Sequence, residues 1–267
     1  MTALLASDIE AAPSVERTEL ARRIAEAPWD AIGDALDMEG VAALPGLFTA
    51  AQAQQLAASY DDRTRFRSRV IMQRHQFGRG EYQYFAYPLP PLIQTLREDL
   101  YGSLAPHANR WAERLDGRGL NATRPAFPGH LDDFLRQCHA AGQRRPTPLL
   151  LRYGEGDYNC LHQDLYGEHV FPLQVVILLS EPGRDFEGGE LVLVEQRPRA
   201  QSAARVVALR AGDAAIIATH HRPQRGVRGW HRVTLRHGVS RVLRGRRFTA
   251  GIIFHDAAAP SGNESTG

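Results

Sequence analysis

The 267-residue chain contains no lysine, so all 32 of its basic residues are arginine. With 30 acidic residues, the formal net charge of +2 is too small to indicate a nucleic-acid partner by itself. We interpret the missing lysine as a compositional bias and assign it no function. Hydrophobic residues make up 43% of the chain and charged residues 23%, a balance typical of globular proteins.

Cysteine and long apolar runs are also scarce. Cys138 and Cys160 are too few for a disulfide framework and match no metal-binding cysteine spacing. The N-terminus has neither the basic nor the apolar region of a signal peptide. The longest aliphatic run, residues 175–179, is far shorter than the ~20 residues that span a membrane. The sequence therefore predicts a soluble protein of the reducing cytoplasm.

The first 145 residues show mostly helical periodicity. Predicted helices cover residues 16–27, 49–59, 91–115 and 127–141, with Thr49 as the N-cap of the second. Residues 65–85 are rich in arginine and aromatic side chains and could hold two strands around Gly78 and Gly80.

After residue 148 the pattern changes to short apolar runs separated by glycine, proline and aspartate. These runs cover residues 149–153, 173–179, 190–195, 214–218, 239–243 and 248–254. Such spacing is typical of an all-β sandwich or barrel. We predict a mainly β fold with α: a jelly roll (double-stranded β-helix) over residues 146–257. A helical extension over residues 1–145 packs on it, and residues 258–267 form a flexible tail.

The segment His162-Gln163-Asp164 carries the chemistry. Side chains alternate along a strand, so a histidine and an aspartate two residues apart point to the same side. One distant histidine would complete a 2-His-1-carboxylate set, the geometry of non-haem Fe(II) oxygenases. The downstream candidates are His220, His221, His231, His237 and His255. Hydrolases and nucleotide-binding proteins lack support, because the sequence has no nucleophile elbow, zinc signature or phosphate-binding glycine loop.

Several segments resemble the prolyl-4-hydroxylase-like branch of the 2-oxoglutarate/Fe(II) oxygenase superfamily. In that branch an arginine or lysine follows the distal histidine by ten residues, as Arg247 follows His237 here, with Gly245 and a strand in the expected places. The His-Gln-Asp-Leu-Tyr-Gly segment at residues 162–167 is similar to that of bacterial members. The resemblance covers residues 147–256, including a family-like Tyr153-Gly entry and the turn at residues 186–191.

The resemblance implies an enzyme that uses Fe(II), 2-oxoglutarate and O2. His162, Asp164 and His237 would hold the metal, and Arg247 would bind the distal carboxylate of 2-oxoglutarate. Tyr153 is either a hydroxyl contact to 2-oxoglutarate or a core aromatic. His231, also followed by an arginine after ten residues, is the second candidate for the distal ligand. His220 and His221 are expected in a loop, and His255 with Asp256 at the surface or an edge.

The resemblance implies hydroxylation of an unactivated C–H bond, coupled to decarboxylation of 2-oxoglutarate to succinate, with a protein or peptide side chain as the expected substrate. Oxidative demethylation of alkylated nucleic acid and oxidation of a small metabolite are alternatives, and a degenerate jelly-roll binding module is the non-enzymatic one. Two features bear on nucleic acid. Arginines are frequent and acidic residues absent over residues 214–255, and residues 63–85 would lie at the active-site mouth if they contact substrate.

Overall fold

The computed structural model describes residues 14–116, 126–197 and 200–259. Its α-helices are α1 (Ser14–Ala25), α2 (Trp29–Glu39), α3 (Ala50–Ala58), α4 (Pro91–Asp116) and α5 (Leu131–Ala140). None of the helices within these ranges is long and apolar enough to cross a membrane.

The strands are short and antiparallel. In chain order they are β1 (Val41–Leu44), β2 (Phe66–Ile71), β3 (Gly78–Arg79), β4 (Glu81–Phe85), β5 (Gln143–Arg145), β6 (Leu149–Tyr153), β7 (Tyr158–His162), β8 (Leu173–Leu178), β9 (Phe186–Gly188), β10 (Leu191–Gln196), β11 (Ala203–Val207), β12 (Ala214–Ala218), β13 (His221–Gly226), β14 (Gly229–Val239), β15 (Val242–Gly245), β16 (Arg247–Ile252) and β17 (Ala257–Ala258).

Two sheets enclose a cavity. The major sheet has seven strands in the order β1-β12-β8-β16-β6-β4-β2. The minor sheet has the order β11-β10-β14-β7-β3, and β13 pairs with the first half of β14. Strands β9 with β15 and β5 with β17 form two short ribbons. Two antiparallel sheets of this kind confirm the predicted jelly roll.

Several predicted elements are confirmed. Strands β6 and β12 begin and end where the apolar runs do. Helix α3 follows Thr49, whose side chain and that of Gln52 form a capping box. Strands β1, β2 and β4 place residues before 145 in the same sheet as later ones, and the boundary at residue 145 stays a prediction. The predicted flexible tail lies almost entirely outside the described residues.

The strand predicted over residues 239–243 is wrong, because the chain turns inside this segment. Strand β14 ends at Val239 and β15 begins at Val242. The backbone N–H of Ser240 donates to the carbonyl of Glu190, and that of Gly189 donates to the carbonyl of Arg241. These bonds redirect the chain towards β9. His221 begins strand β13 instead of lying in a loop, so this prediction is also wrong.

Helix α4 contacts α1, strands β13, β14 and β16, and α5, and its apolar stripe is buried. Leu96, Leu100 and Leu104 are fully buried at helical spacing. Tyr101 lies on the same helix, and its ring lies 4.9 Å from that of Phe171 and 5.9 Å from that of Phe254. This aromatic cluster anchors the helix behind the major sheet, on the side away from the cavity.

The predicted surface position of His255 and Asp256 is wrong, since both are fully buried. Arg97 of α4 reaches them: its Nη2 lies 2.7 Å from Asp256 Oδ1, and its Nε donates to the carbonyl of Ile253 at 3.0 Å. Burial, aided by the nearby Arg97, lowers the pKa of His255 to about 4. A long-range ion pair between α4 and Asp256 therefore holds the segment after β16 in the core.

We predict that Arg97→Met lowers the free energy of unfolding by about 3 kcal/mol, because it leaves the Asp256 carboxylate in the core without its cation. Arg69→Met is the matched control, since Arg69 pairs with Glu81 while 41% exposed, and should cost less than about 1 kcal/mol. Urea unfolding of both variants measures the difference. Equal losses would contradict a special role for the buried pair.

Candidate active site

A cavity of about 320 Å³ lies between the two sheets. Strand register separates its polar groups into two ends. Arg247 of β16 is paired with Tyr153 of β6 at one end, whereas Gln174 of β8 lies beyond the Val176–Gly251 pair at the other. Its apolar walls include Leu149, Leu151, Val175, Val176 and Leu191. The cavity is large enough for a small dicarboxylate.

His162 and His237 lie opposite each other on two adjacent strands of the minor sheet. His162 ends β7, His237 lies near the end of β14, and the two are directly paired. Their ring centroids are 4.2 Å apart. Val233, Leu235 and His237 are all buried, because alternate residues of β14 face inwards. This pairing brings together two imidazoles that are 75 positions apart in the sequence.

Asp164 completes the cluster. It follows β7, is 7% exposed, and its Oδ2 lies 3.2 Å from His237 Nε2, while its Oδ1 lies 3.7 Å from His162 Nε2. Burial alone would raise the pKa of Asp164. The hydrogen bond from His237 and the two nearby imidazoles outweigh burial and hold the pKa well below its ordinary value. The carboxylate is therefore ionised, the form in which it binds a metal.

Hydrogen bonds also orient the candidate ligands. His162 Nδ1 donates to the carbonyl of Cys160 at 2.8 Å, so the lone pair of its Nε2 faces Asp164. Burial, with a smaller contribution from His237, lowers the pKa of His162 and favours the neutral imidazole. The hydroxyl of Tyr166 donates to Asp164 Oδ1 at 2.5 Å.

His162, Asp164 and His237 each offer a ligand atom, and these atoms lie within 4.8 Å of one another. In the described part of the chain no other group of three such side chains could hold a metal. The other candidate histidines lie elsewhere: His231 is exposed on the β13–β14 hairpin, and His255 is buried next to Asp256. Two imidazoles and one carboxylate suit Fe(II) and leave coordination positions for exogenous ligands.

Arg247 is a buried cation at the other end of the cavity. It is 2% exposed, and no described carboxylate forms an ion pair with it. Its Nη1 donates to Thr249 Oγ1 at 2.6 Å, whereas its Nε has no hydrogen-bond partner among the described residues. Burial lowers the pKa of Arg247 to about 10, so it remains charged at neutral pH. A buried guanidinium without an anion is costly, which fits a site for a ligand carboxylate.

Tyr153 is a core aromatic that also lines the cavity. It is fully buried, and the Arg247 guanidinium lies 5.5 Å from its ring centroid. Asn159 Nδ2 donates to its hydroxyl at 3.4 Å. Burial raises the pKa of Tyr153, so the hydroxyl keeps its proton and can donate. The two interpretations of Tyr153 are thus compatible.

The mouth of the cavity is apolar and exposed. Phe77 is 48% exposed, Leu161 is 42% exposed, and both line the cavity. Strand β7 holds Phe77, in the loop before β3, in place, because the carbonyl of Phe77 accepts from the N–H of Cys160 at 2.8 Å. The ring of His75 stacks on Phe77 at 5.4 Å. Part of the arginine-rich stretch 63–85 therefore lies at the mouth.

The arginines of residues 222–247 do not form one surface. Arg222 is buried, and its Nη2 lies 2.7 Å from Glu195 Oε2. Arg244 pairs with Glu187 at 2.6 Å, and Arg247 lies in the cavity. Seven of the nine arginines are exposed, and four of these, Arg225, Arg228, Arg232 and Arg236, lie on the β13–β14 hairpin. The basic surface therefore lacks Arg222 and Arg247, which the sequence counts with the others.

Sequence reasoning missed several polar residues of the cavity, and three of them contact a candidate metal ligand or Arg247. Gln174 interrupts an apolar strand, Tyr166 follows Asp164 by two residues, and Thr249 follows Arg247 by two. Period-two alternation from a known site residue would have indicated the last two. For Gln174 the signal was a polar residue inside an otherwise apolar run.

Comparison with known proteins identifies the family. The model of the Oxygenase-NA family, described as "Oxygenase, catalysing oxidative methylation of damaged DNA", matches residues 80–257. Uncharacterised proteins from two strains of Mycobacterium tuberculosis are each 51% identical over 174 residues, which cover 65% of this chain and 72% of theirs.

Solved structures are similar in fold. A prolyl hydroxylase of Trichoplax adhaerens, in complex with a hypoxia inducible factor peptide fragment, has a TM-score of 0.54 and 12% identity over 93% of this chain and 96% of that chain. For a prolyl-4-hydroxylase of Pseudomonas putida the TM-score is 0.49, with 15% identity over 86% of this chain and 100% of that chain. The chain belongs to the Oxygenase-NA family, so it is an oxygenase, and its cluster of two histidines and one aspartate suits Fe(II).

Proposed function

We propose that this enzyme oxidises an alkyl C–H bond on a damaged base of DNA, with the cavity between the two sheets as its active site. The observation that carries the proposal is the pairing of two features in one cavity. The His162, Asp164 and His237 cluster lies on one side, and the buried, unpaired Arg247 lies at one end. A metal and a dicarboxylate co-substrate would satisfy both.

His162, Asp164 and His237 would hold Fe(II) through two imidazole nitrogens and one carboxylate oxygen. Iron and 2-oxoglutarate together supply the oxidation chemistry, in which one atom of O2 enters succinate and the other the substrate carbon. The hydrogen bonds from His162 to the Cys160 carbonyl and from Tyr166 to Asp164 keep the ligand atoms oriented. The apolar walls exclude water from the reacting atoms.

Arg247 would bind the distal carboxylate of 2-oxoglutarate, because its guanidinium is buried and has donors to spare. Thr249 supports it through the 2.6 Å hydrogen bond. Tyr153, which stays protonated, would donate to an oxygen of the co-substrate from the same end of the cavity. Arg247 and Tyr153 would set the orientation of 2-oxoglutarate before substrate binds.

Two observations support damaged DNA as the substrate: the description of the family and the residues at the mouth of the cavity. Phe77 presents a half-exposed aromatic face on which a base can stack. Arg74 and Arg79 flank it in sequence, are exposed, and form no ion pair with a described residue. They could contact phosphates on either side of the stacked base. Hydroxylation of a protein side chain, which the resemblance alone favours, is tested beside it.

We also propose that the enzyme works in the reducing cytoplasm. Cys138 is buried and Cys160 is exposed, and both are free thiols. An exposed free thiol beside the active site is more compatible with the cytoplasm than with an oxidising compartment. Oxidation of Cys160 would alter the residue whose carbonyl orients His162.

We expect His162→Ala and His237→Ala each to weaken Fe(II) binding by at least about 100-fold, because each removes one of three ligands. In wild type, Fe(II) at 100 times its dissociation constant should add about 2.7 kcal/mol to the free energy of unfolding. His231→Ala, an exposed position on the same strand, is the control and should bind as wild type does. Anaerobic equilibrium dialysis measures affinity, and loss in His231→Ala alone would refute the assignment.

Arg247→Met should weaken 2-oxoglutarate binding about 100-fold, because charge-assisted hydrogen bonds to a carboxylate are lost. Without 2-oxoglutarate the same variant should melt at a higher temperature than wild type, since it removes an unpaired buried charge. Arg246→Met, at the adjacent exposed position, should change neither quantity. Calorimetric titration and thermal melts test this, and unchanged affinity in Arg247→Met would exclude its role.

A single-stranded oligonucleotide carrying an N-methylated base should be oxidised, with succinate and formaldehyde released in equal amounts. Phe77→Ala should raise the KM for the oligonucleotide about 10-fold or more, because base stacking is lost, and should leave 2-oxoglutarate affinity unchanged. Val227→Ala, at another exposed apolar position, is the control. Oxidation of peptides from a library, with no oligonucleotide turnover, would replace DNA by protein as the substrate.

A further inference from the structure

Gln174 is a buried amide in an apolar strand, and it faces the cavity next to the candidate metal ligands. It is 2% exposed, and its neighbours Leu173 and Val175 are 1% and 0% exposed. A buried amide destabilises the fold unless its hydrogen bonds are made. A hydrophobic residue would suit the packing of β8 better, so the amide calls for a function in the cavity.

The amide nitrogen of Gln174 has one partner among the described residues, His237 Nε2, at 3.3 Å. That same Nε2 lies 3.2 Å from Asp164 Oδ2. An Nε2 that donates its proton to Asp164 has no lone pair for the amide, and an Nε2 that binds a metal shared with Asp164 has none either. With the metal bound, the amide is therefore a buried N–H donor in need of another acceptor.

We infer that Gln174 donates a hydrogen bond to the oxygen of 2-oxoglutarate that binds the metal next to His237. The inference rests on the proposed function, because it requires Fe(II) and 2-oxoglutarate in this cavity. A carboxylate oxygen is a strong acceptor, and a neutral amide donor satisfies it without adding charge. Gln174 is thus a co-substrate-binding residue that the arginine-based resemblance does not include.

The strand register supports this assignment. Val176 of β8 is paired with Gly251, and Leu178 is paired with Thr249, two residues after Arg247. Gln174 and Arg247 therefore lie towards opposite ends of the cavity. Their positions suit a dicarboxylate whose distal end contacts the guanidinium and whose metal-binding end contacts the amide. Apolar side chains between them face the methylene groups.

The test compares Gln174→Met, which keeps the size of the side chain and removes its polar atoms, with Gln83→Met. Gln83 is a matched control on β4, because it is 4% exposed and its amide donates to the carbonyl of Tyr60 at 2.7 Å, outside the cavity lining. Two dissociation constants are measured anaerobically on the full chain. One is that of Fe(II) without 2-oxoglutarate, and the other is that of 2-oxoglutarate with Fe(II), followed by charge-transfer absorption.

Gln174→Met should raise the dissociation constant of 2-oxoglutarate by about 10- to 100-fold and leave that of Fe(II) within about 2-fold. Gln174→Glu, which keeps the shape of the side chain, should weaken 2-oxoglutarate binding further by repulsion between carboxylates. It carries the test if the methionine variant does not fold. Gln83→Met should change neither constant.

Unchanged 2-oxoglutarate affinity in the Gln174 variants would overturn the inference. A matching loss of Fe(II) affinity would also overturn it, because Gln174 would then act as a structural partner of His237. Wild-type protein that binds neither Fe(II) nor 2-oxoglutarate would overturn the proposed function as well. If wild type binds both Fe(II) and 2-oxoglutarate and Gln174→Met binds 2-oxoglutarate equally tightly, the inference fails but the proposed function stands.

Discussion

The pairing of β7 with β14 is the contact that brings the three candidate metal ligands together. It places His162 directly opposite His237 and lets Asp164, two residues further on, reach both imidazoles. A shift of one residue in this register would turn one histidine to the outer face of the minor sheet. The buried residues Val233 and Leu235 on β14 oppose such a shift, because it would expose them. Core packing therefore sets the geometry of the candidate ligands.

The cavity holds polar groups that the apo fold satisfies poorly. Arg247 is charged and buried without a carboxylate, and Gln174 has an imidazole nitrogen as its amide's partner. Elsewhere the same chain satisfies buried charge: Asp256 is bound by Arg97, Tyr87 and His139. The contrast indicates that the unmet hydrogen bonds in the cavity are made by bound ligands. A buried charge with a purely structural role would have a partner within the fold.

Much of the fold could be predicted from local pattern. Strands β6, β8 and β12 are apolar runs bounded by turn residues, and helix α3 begins at a capping threonine. Strand β14 was missed because arginine, histidine and glycine obscure the alternation of its buried residues. The burial of His255 and Asp256 was missed because it depends on Arg97, which is 159 residues from Asp256 in the sequence. No local pattern reports a contact of that range.

The sequence by itself predicted the two adjacent candidate ligands, and the family resemblance added Arg247 as a candidate for co-substrate binding. His162 and Asp164 share a side because strand side chains alternate, and the offset of Arg247 from His237 identified the family resemblance. Only the tertiary structure decided which of five histidines meets them and that Arg247 is buried without a carboxylate. It alone placed the Gln174 amide next to His237, one of the candidate metal ligands. The physical reason is that spacing fixes neighbours along one strand, whereas sheet register and burial depend on contacts between distant segments.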